Sequence, residues 1–147
     1  MSTNASISIM NKGGSMETIY NHWDGYLEGL GNMLLTHYTS EEKVRELIAL
    51  GNVSYVDCMV NPTTTTHSFD NPEKGVTVAY GRDRGETDQE AKHFDSFVEY
   101  SKSGMIQECN YIFNTNDGSW YFFEVQRDLP KKFADFWNIS NGFNYKK

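Results

Sequence analysis

The chain has 147 residues, 38% hydrophobic, 22% charged and 14% aromatic. Nine Tyr, nine Phe and three Trp can fill a core of ordinary size, which excludes whole-chain disorder and a disulfide-dependent miniprotein. Thirteen Lys and Arg against twenty Asp and Glu leave a net charge of −7, and such a surface does not bind bulk nucleic acid, because phosphate neutralisation needs cations.

From the N-terminus, Met1-Ser-Thr-Asn-Ala-Ser6 lacks the basic-then-apolar order of a signal peptide. No run approaches the roughly 18 apolar residues of a membrane span. The expectation is one cytoplasmic domain over 1–147, with Cys58 and Cys109 reduced and buried, since they show no CxxC spacing. The Asn-X-Ser sequences at Asn4, Asn52 and Asn138 carry no weight in an unexported chain.

Residues 5–10 alternate, with Ile7 and Ile9 on one face and Ser6, Ser8 and Met10 on the other. The turn Asn11-Lys-Gly-Gly-Ser15 and a returning strand at 17–21 predict a hairpin. Leu27, Leu30, Leu34 and Tyr38 make a helical stripe, weakened by Gly29 and Gly31. Thr39-Ser-Glu-Glu42 reads as a capping box, opening a helix with Val44, Leu47 and Ile48 inward and ending near Gly51. Residues 52–75 read as irregular, and 76–80 as a short strand. Gly81 to Glu86 reads as a charged loop bracketed by glycines. A second capping box, Thr87-Asp-Gln-Glu90, predicts a helix to about Gly104 with Ala91, Phe94, Phe97 and Val98 inward. Residues 105–114 and 119–126 form an aromatic hairpin around Asn116-Asp-Gly118. Residues 130–137 suggest a short helix, and the last residues a fraying end. The stretch 127–147 is basic, with five Lys or Arg and two Asp, and could be a flexible tail or a dock for an acidic partner. The fold expected is α+β: a mostly antiparallel sheet built from hairpins, with two or three packed helices.

Three segments at element boundaries hold more functional side chains than a fold needs: His22-Trp-Asp-Gly-Tyr26, His67-Ser-Phe-Asp70 and Tyr80-Gly-Arg-Asp-Arg-Gly-Glu86. Asp24 complements a helix start, while Trp23 or Tyr26 could stack on a base beside His22. Arg82 and Arg84, alternating with Asp83 at a strand end, would put two guanidinium groups on one side, suited to a phosphate or carboxylate. A surface ion-pair network with Glu86 is the structural alternative. His22, Asp24, His67 and Asp70 are a weak metal set, with no HExxH and no third anchored ligand, so no metal and no cofactor is expected. His37 and His93 read as surface residues of helices. A GxSxG elbow, a Walker A loop and a GxGxxG fingerprint are all absent, so no catalytic residue is assigned.

The strings Ile19-Tyr-Asn-His-Trp-Asp-Gly-Tyr26, His67-Ser-Phe-Asp70 and Val76-Thr-Val-Ala-Tyr-Gly-Arg-Asp-Arg-Gly-Glu86 resemble a family of small proteins encoded by bacteriophages, prophages and related mobile elements, over roughly residues 5–126. That family's pattern has cysteine where this chain has Asn21 and proline where it has Leu27, and Asn21 speaks against cysteine-dependent chemistry. The family has no settled activity, so the resemblance implies a phage-borne setting in the host cytosol more than a mechanism. Small accessory proteins in that setting disable host defence by binding a host protein, or by sequestering or degrading a nucleotide signal. The residues favour sequestration, with Arg82 and Arg84 on phosphate, Trp23, Tyr26 or Tyr80 on the base, and His22 with Asp70 on polar edges. His67 and Glu86 complete the candidate ligand set. The alternatives are an inhibitor that binds a host defence protein directly, or a phosphodiesterase. A pocket shared between copies in a homo-oligomer also fits nucleotide-binding proteins of this size.

Overall fold

All six residues of the first strand, β1 (Ala5–Met10), are buried. Alternation of apolar and hydroxyl side chains therefore does not separate core from solvent here; it separates two covered faces. The structure is a computed structural model that describes residues 2–141. β1 pairs antiparallel with β2 (Met16–Asn21) across the Asn11–Ser15 turn, as the sequence predicts. Its other neighbour is β6 (Cys109–Asn114), and that pairing is parallel, Ala5 opposite Cys109.

The remaining strands extend the sheet on both sides. β3 (Val53–Tyr55) runs parallel to the end of β2, and β4 (Val78–Ala79) antiparallel to β3. β5 (Lys92–Phe94) pairs antiparallel with the start of β2, with His93 opposite Glu17. β7 (Ser119–Glu124) closes the aromatic hairpin with β6, and β8 (Trp137–Asn138) adds to its outer edge. The eight-stranded order is β4-β3-β2-β1-β6-β7-β8, with β5 beside β2. Five of these pairings are antiparallel and two, β1 with β6 and β2 with β3, are parallel, so the sheet is mixed and mostly antiparallel but not built from hairpins alone: β1 lies between its own hairpin partner and a strand from a second hairpin, and the two hairpins join in parallel.

One face holds Ile7, Ile9, Ile19, Tyr111, Phe113, Trp120 and Phe122 against Leu27, Leu30, Leu34, Tyr38, Val44, Leu47 and Ile48. Those residues come from a π-helical turn (Leu27–Gly31), α1 (Asn32–His37) with Tyr38 just after its end, and α2 (Glu41–Ala49). The opposite face holds Met10, Met16 and Ile112 under Phe97 and Tyr100 of α4 (Phe97–Ser101) and under Phe136, which follows a 3₁₀ turn (Phe133–Asp135). Polar side chains on this buried face satisfy one another, as burial requires. Ser6 Oγ donates to Asn110 Oδ1 at 2.7 Å and lies 2.9 Å from the Tyr100 hydroxyl, and Ser8 Oγ lies 2.7 Å from Thr18 Oγ1.

Four local expectations change. α2 starts one residue later than the capping box implies, with Ser40 rather than Thr39 accepting the Lys43 amide. The segment read as a loop after β4 is a short helix, α3 (Tyr80–Arg84), closed by Gly85 at φ +74°. The helix expected from Thr87 is absent; β5 takes its place, so His93 sits on a strand, and only α4 is helical, capped by Ser96. The helix expected over 130–137 is the single 3₁₀ turn. In the basic stretch 127–147, Phe136 and Ile139 are buried, and residues 142–147 lie outside the described residues. Among the described residues, no helix is long and apolar enough to cross a membrane. Cys109 is buried as expected, whereas Cys58 is half-buried; both thiols are free.

Candidate functional site

The ten residues singled out in the sequence divide between two places. The first is the turn that leaves β2. Its backbone continues alongside β3, with His22 and Trp23 donating to the Val53 and Ser54 carbonyls. Asp24 then adopts φ +59°, a left-handed conformation that Asp tolerates better than most residues. Gly25 is required by close approach, because a Cβ there would stand 2.7 Å from the Thr3 carbonyl oxygen. The turn is anchored from below by the Tyr111 hydroxyl, which donates to the Gly25 carbonyl at 2.7 Å, and by the Leu30 amide, which donates to that of Asp24 at 2.9 Å.

With the backbone held in this way, Trp23 and Tyr26 are not needed in the core, and each stays 44% exposed. They flank a cavity of about 410 Å³ that Asp24, Met33, Tyr55 and Asp57 also line. Burial raises the Tyr55 phenol above its ordinary value, and the charges of Asp57 and Asp83 add to the shift. One Asp57 oxygen accepts the Cys58 amide at 2.8 Å. The Asp24 carboxylate has no side-chain partner among the described residues. His22 stands beside this cavity: its Nδ1 is 2.7 Å from the Tyr20 hydroxyl, and its ring meets Trp23 edge-on at 4.7 Å.

The second place gathers the other two segments around α3. His67 and Asp83 have side chains only 2% and 3% exposed, with Nε2 3.1 Å from Oδ2, at an angle short of a straight hydrogen bond. The Glu73 amide donates to His67 Nδ1 at 2.9 Å, which leaves the ring proton on Nε2, toward Asp83. Asp83 also accepts the Ala79 amide at 2.8 Å. Burial alone would raise the Asp83 carboxyl, but hydrogen bonds from Arg82 and the Ala79 amide, the close His67 N–H and the charge of Arg82 hold it below the ordinary value. Beyond His67, the Glu73 carboxylate is held by the amides and hydroxyls of Thr63 and Thr64.

Arg82 is committed to the fold. It donates to the Val60 carbonyl at 2.6 Å, to the Thr77 carbonyl at 2.7 Å and to both Asp83 oxygens. Arg84 lies over the Phe69 ring at 4.1 Å and the Tyr80 ring at 5.0 Å, and pairs with Glu86. The strand alternation that would put the two arginines on one side does not apply, because a helix turns about 100° per residue and separates positions i and i+2. Asp70 is exposed, on the turn in which Ser68 and Asn71 bond to each other. No three His, Cys, Asp and Glu cluster as metal ligands would among the described residues.

Tyr55, Asp57, Phe69, Asp83 and Glu73 were not singled out as site residues in the sequence. Phe69 and Asp83 lie inside two of the marked segments, so proximity in sequence was the available signal. Tyr55 and Asp57 follow from β3, whose three residues are too few to show a period. No protein-family model, curated protein or solved structure matches the chain.

Proposed function

We propose that this chain is a phage-borne counter-defence protein that works by binding rather than turnover, and that it sequesters a small nucleotide-derived signalling molecule. The observation that carries the reading is the cavity between Trp23, Tyr26 and Tyr55. Its volume, about 410 Å³, falls in the range of small-ligand sites, and two of its three rings stay exposed on a rigid turn. Stacking would hold a base there. Of the two arginines singled out, Arg84 is the one not tied to backbone carbonyls; it stands in the second cluster, where a phosphate would have to displace the Glu86 carboxylate. Hydrolysis has less support, since both ring nitrogens of His67 face protein groups and its side chain is almost wholly buried.

A trap-and-release experiment tests the reading. Protein is mixed with a panel of cyclic and ADP-ribose-derived nucleotides, and free ligand is quantified before and after heat denaturation. Depletion with full recovery is expected. New products would make the protein an enzyme, and no depletion would sink sequestration.

A second reading, direct binding of a host defence protein, is favoured by one specific observation. The cavity carries two carboxylates, Asp24 and Asp57, and no cation, on a chain of net charge −7. Such a surface suits a basic side chain of a partner. It predicts co-purification with a host protein and tolerance of substitution at Arg84.

A further inference from the structure

A ligand that enters the Trp23–Tyr26 cavity meets acceptors rather than donors at its charged points. Asp24 and Asp57 are the ionisable acids of the lining, and an ionised carboxylate only accepts hydrogen bonds. The Asp57 oxygen that receives the Cys58 amide is partly used, whereas the Asp24 carboxylate is free of side-chain partners among the described residues. The Asp24 backbone is also fixed in place, because its carbonyl accepts the Leu30 amide and the next residue is packed against Thr3, so the carboxylate starts from an anchored Cα at the rim of the cavity. The group that fits is flat, so that it stacks on the rings, and carries two N–H donors side by side to match the two oxygens of one carboxylate.

We infer that this cavity reads the donor edge of a guanine base: the ring N1–H and the 2-amino group pair with the Asp24 carboxylate while Trp23 and Tyr26 cover the faces. The inference rests on the sequestration reading and narrows it to guanine-containing signals. Adenine presents one amino donor beside a ring acceptor, and that acceptor would face a carboxylate oxygen. Phosphates lie outside this cavity, where the two acids would repel them. An arginine guanidinium from a partner protein has the same donor fork, so the two sources must be separated experimentally.

The test is calorimetric titration of the full chain with guanosine, inosine, adenosine and N-acetyl-arginine amide. These neutral nucleosides keep the phosphate out of the comparison. Inosine retains N1–H and lacks the 2-amino group, so it should bind roughly ten- to hundredfold more weakly than guanosine. Adenosine should be weaker still. Asp24→Asn keeps a residue that tolerates the left-handed backbone and should remove the preference for guanosine over inosine. The guanosine–inosine comparison uses unaltered protein, so a folding defect in the variant cannot mask the result. Equal binding of the three nucleosides overturns the guanine inference and leaves sequestration by stacking intact. Binding of the arginine probe without any nucleoside overturns both and points to a protein partner. If no probe binds up to its solubility limit, the inference fails; capture of a nucleotide in the trap-and-release assay would then keep the broader reading, with the phosphate as the held end.

Discussion

Arg82 and Arg84 stand two positions apart and have different work. Arg82 ties the Val60 and Thr77 carbonyls to Asp83, so Arg82→Ala removes several charged hydrogen bonds and leaves a nearly buried carboxylate less compensated. The expected loss is about 2–4 kcal/mol in urea or thermal denaturation. Arg84 is half exposed, stacked on two rings and paired with Glu86, and Arg84→Ala should cost less than about 1 kcal/mol. Equal losses in the two variants would contradict this division. Asp83 also has a pH signature. Its folded pKa lies below the ordinary 3.8, so its stabilising contribution is complete above the unfolded value and is lost as pH falls through the folded one. Asp83→Asn should therefore be less stable than the parent at neutral pH and show a shallower acid limb in a stability–pH curve.

Elements long enough to show a period were legible in the sequence. β1, β2, α2 and the β6–β7 hairpin stand within a few residues of where alternation, the turn residues, the inward spacing of Val44, Leu47 and Ile48, and Asn-Asp-Gly placed them. β3, α3 and β5 have three, five and three residues, and each depends on contacts the sequence does not order. The start of α3 is set by Asp83 reaching back to the Ala79 amide, and β5 forms because His93 and Phe94 lie against Glu17 and Met16. The Thr87 capping box was a false signal of a kind that short motifs give, and Ser96 with Glu99 supplies the working cap nine residues later. The candidate site was half legible for the same reason. The aromatic turn was visible, whereas the commitment of the Arg82 donors to the fold depends on carbonyls 5 and 22 residues away. The α2 cap allows a sharp check of such reasoning. Ser40→Ala should lower stability by about 1 kcal/mol, while Thr39→Ala should change it by less than about 0.5 kcal/mol. Thermal melts of the two single variants distinguish the two capping assignments.

At the scale of the molecule, the centre of the sheet is made by its most distant parts. β1 pairs with β6 in parallel, Ala5 opposite Cys109, so the core is not assembled until a loop of about a hundred residues closes. Tyr111, Phe113, Trp120 and Phe122 all arrive with the second hairpin, and they complete the face that α1 and α2 cover. A fragment of residues 1–104 should therefore remain largely unfolded by far-ultraviolet circular dichroism, despite containing α1, α2 and the β1–β2 hairpin. The intact chain should refold in milliseconds to seconds, slower than helical domains of this length. A cooperative melt from the fragment would mean that β1 does not need its parallel neighbour.

In the loop between Val60 and Val76, charge does the work that packing does elsewhere. Threonine-rich, proline-flanked and exposed, the loop has the composition at which proteases ordinarily enter a domain. Here it is stitched to α3 through Thr63, Thr64, Glu73, His67 and Asp83, with two carboxylates as the junctions. Hydrogen bonds hold the Glu73 and Asp83 carboxyls below their ordinary values, against the opposing pull of desolvation. Order in this loop should therefore depend on ionisation: protonating either carboxylate removes a junction, and digestion here is expected to quicken as pH falls.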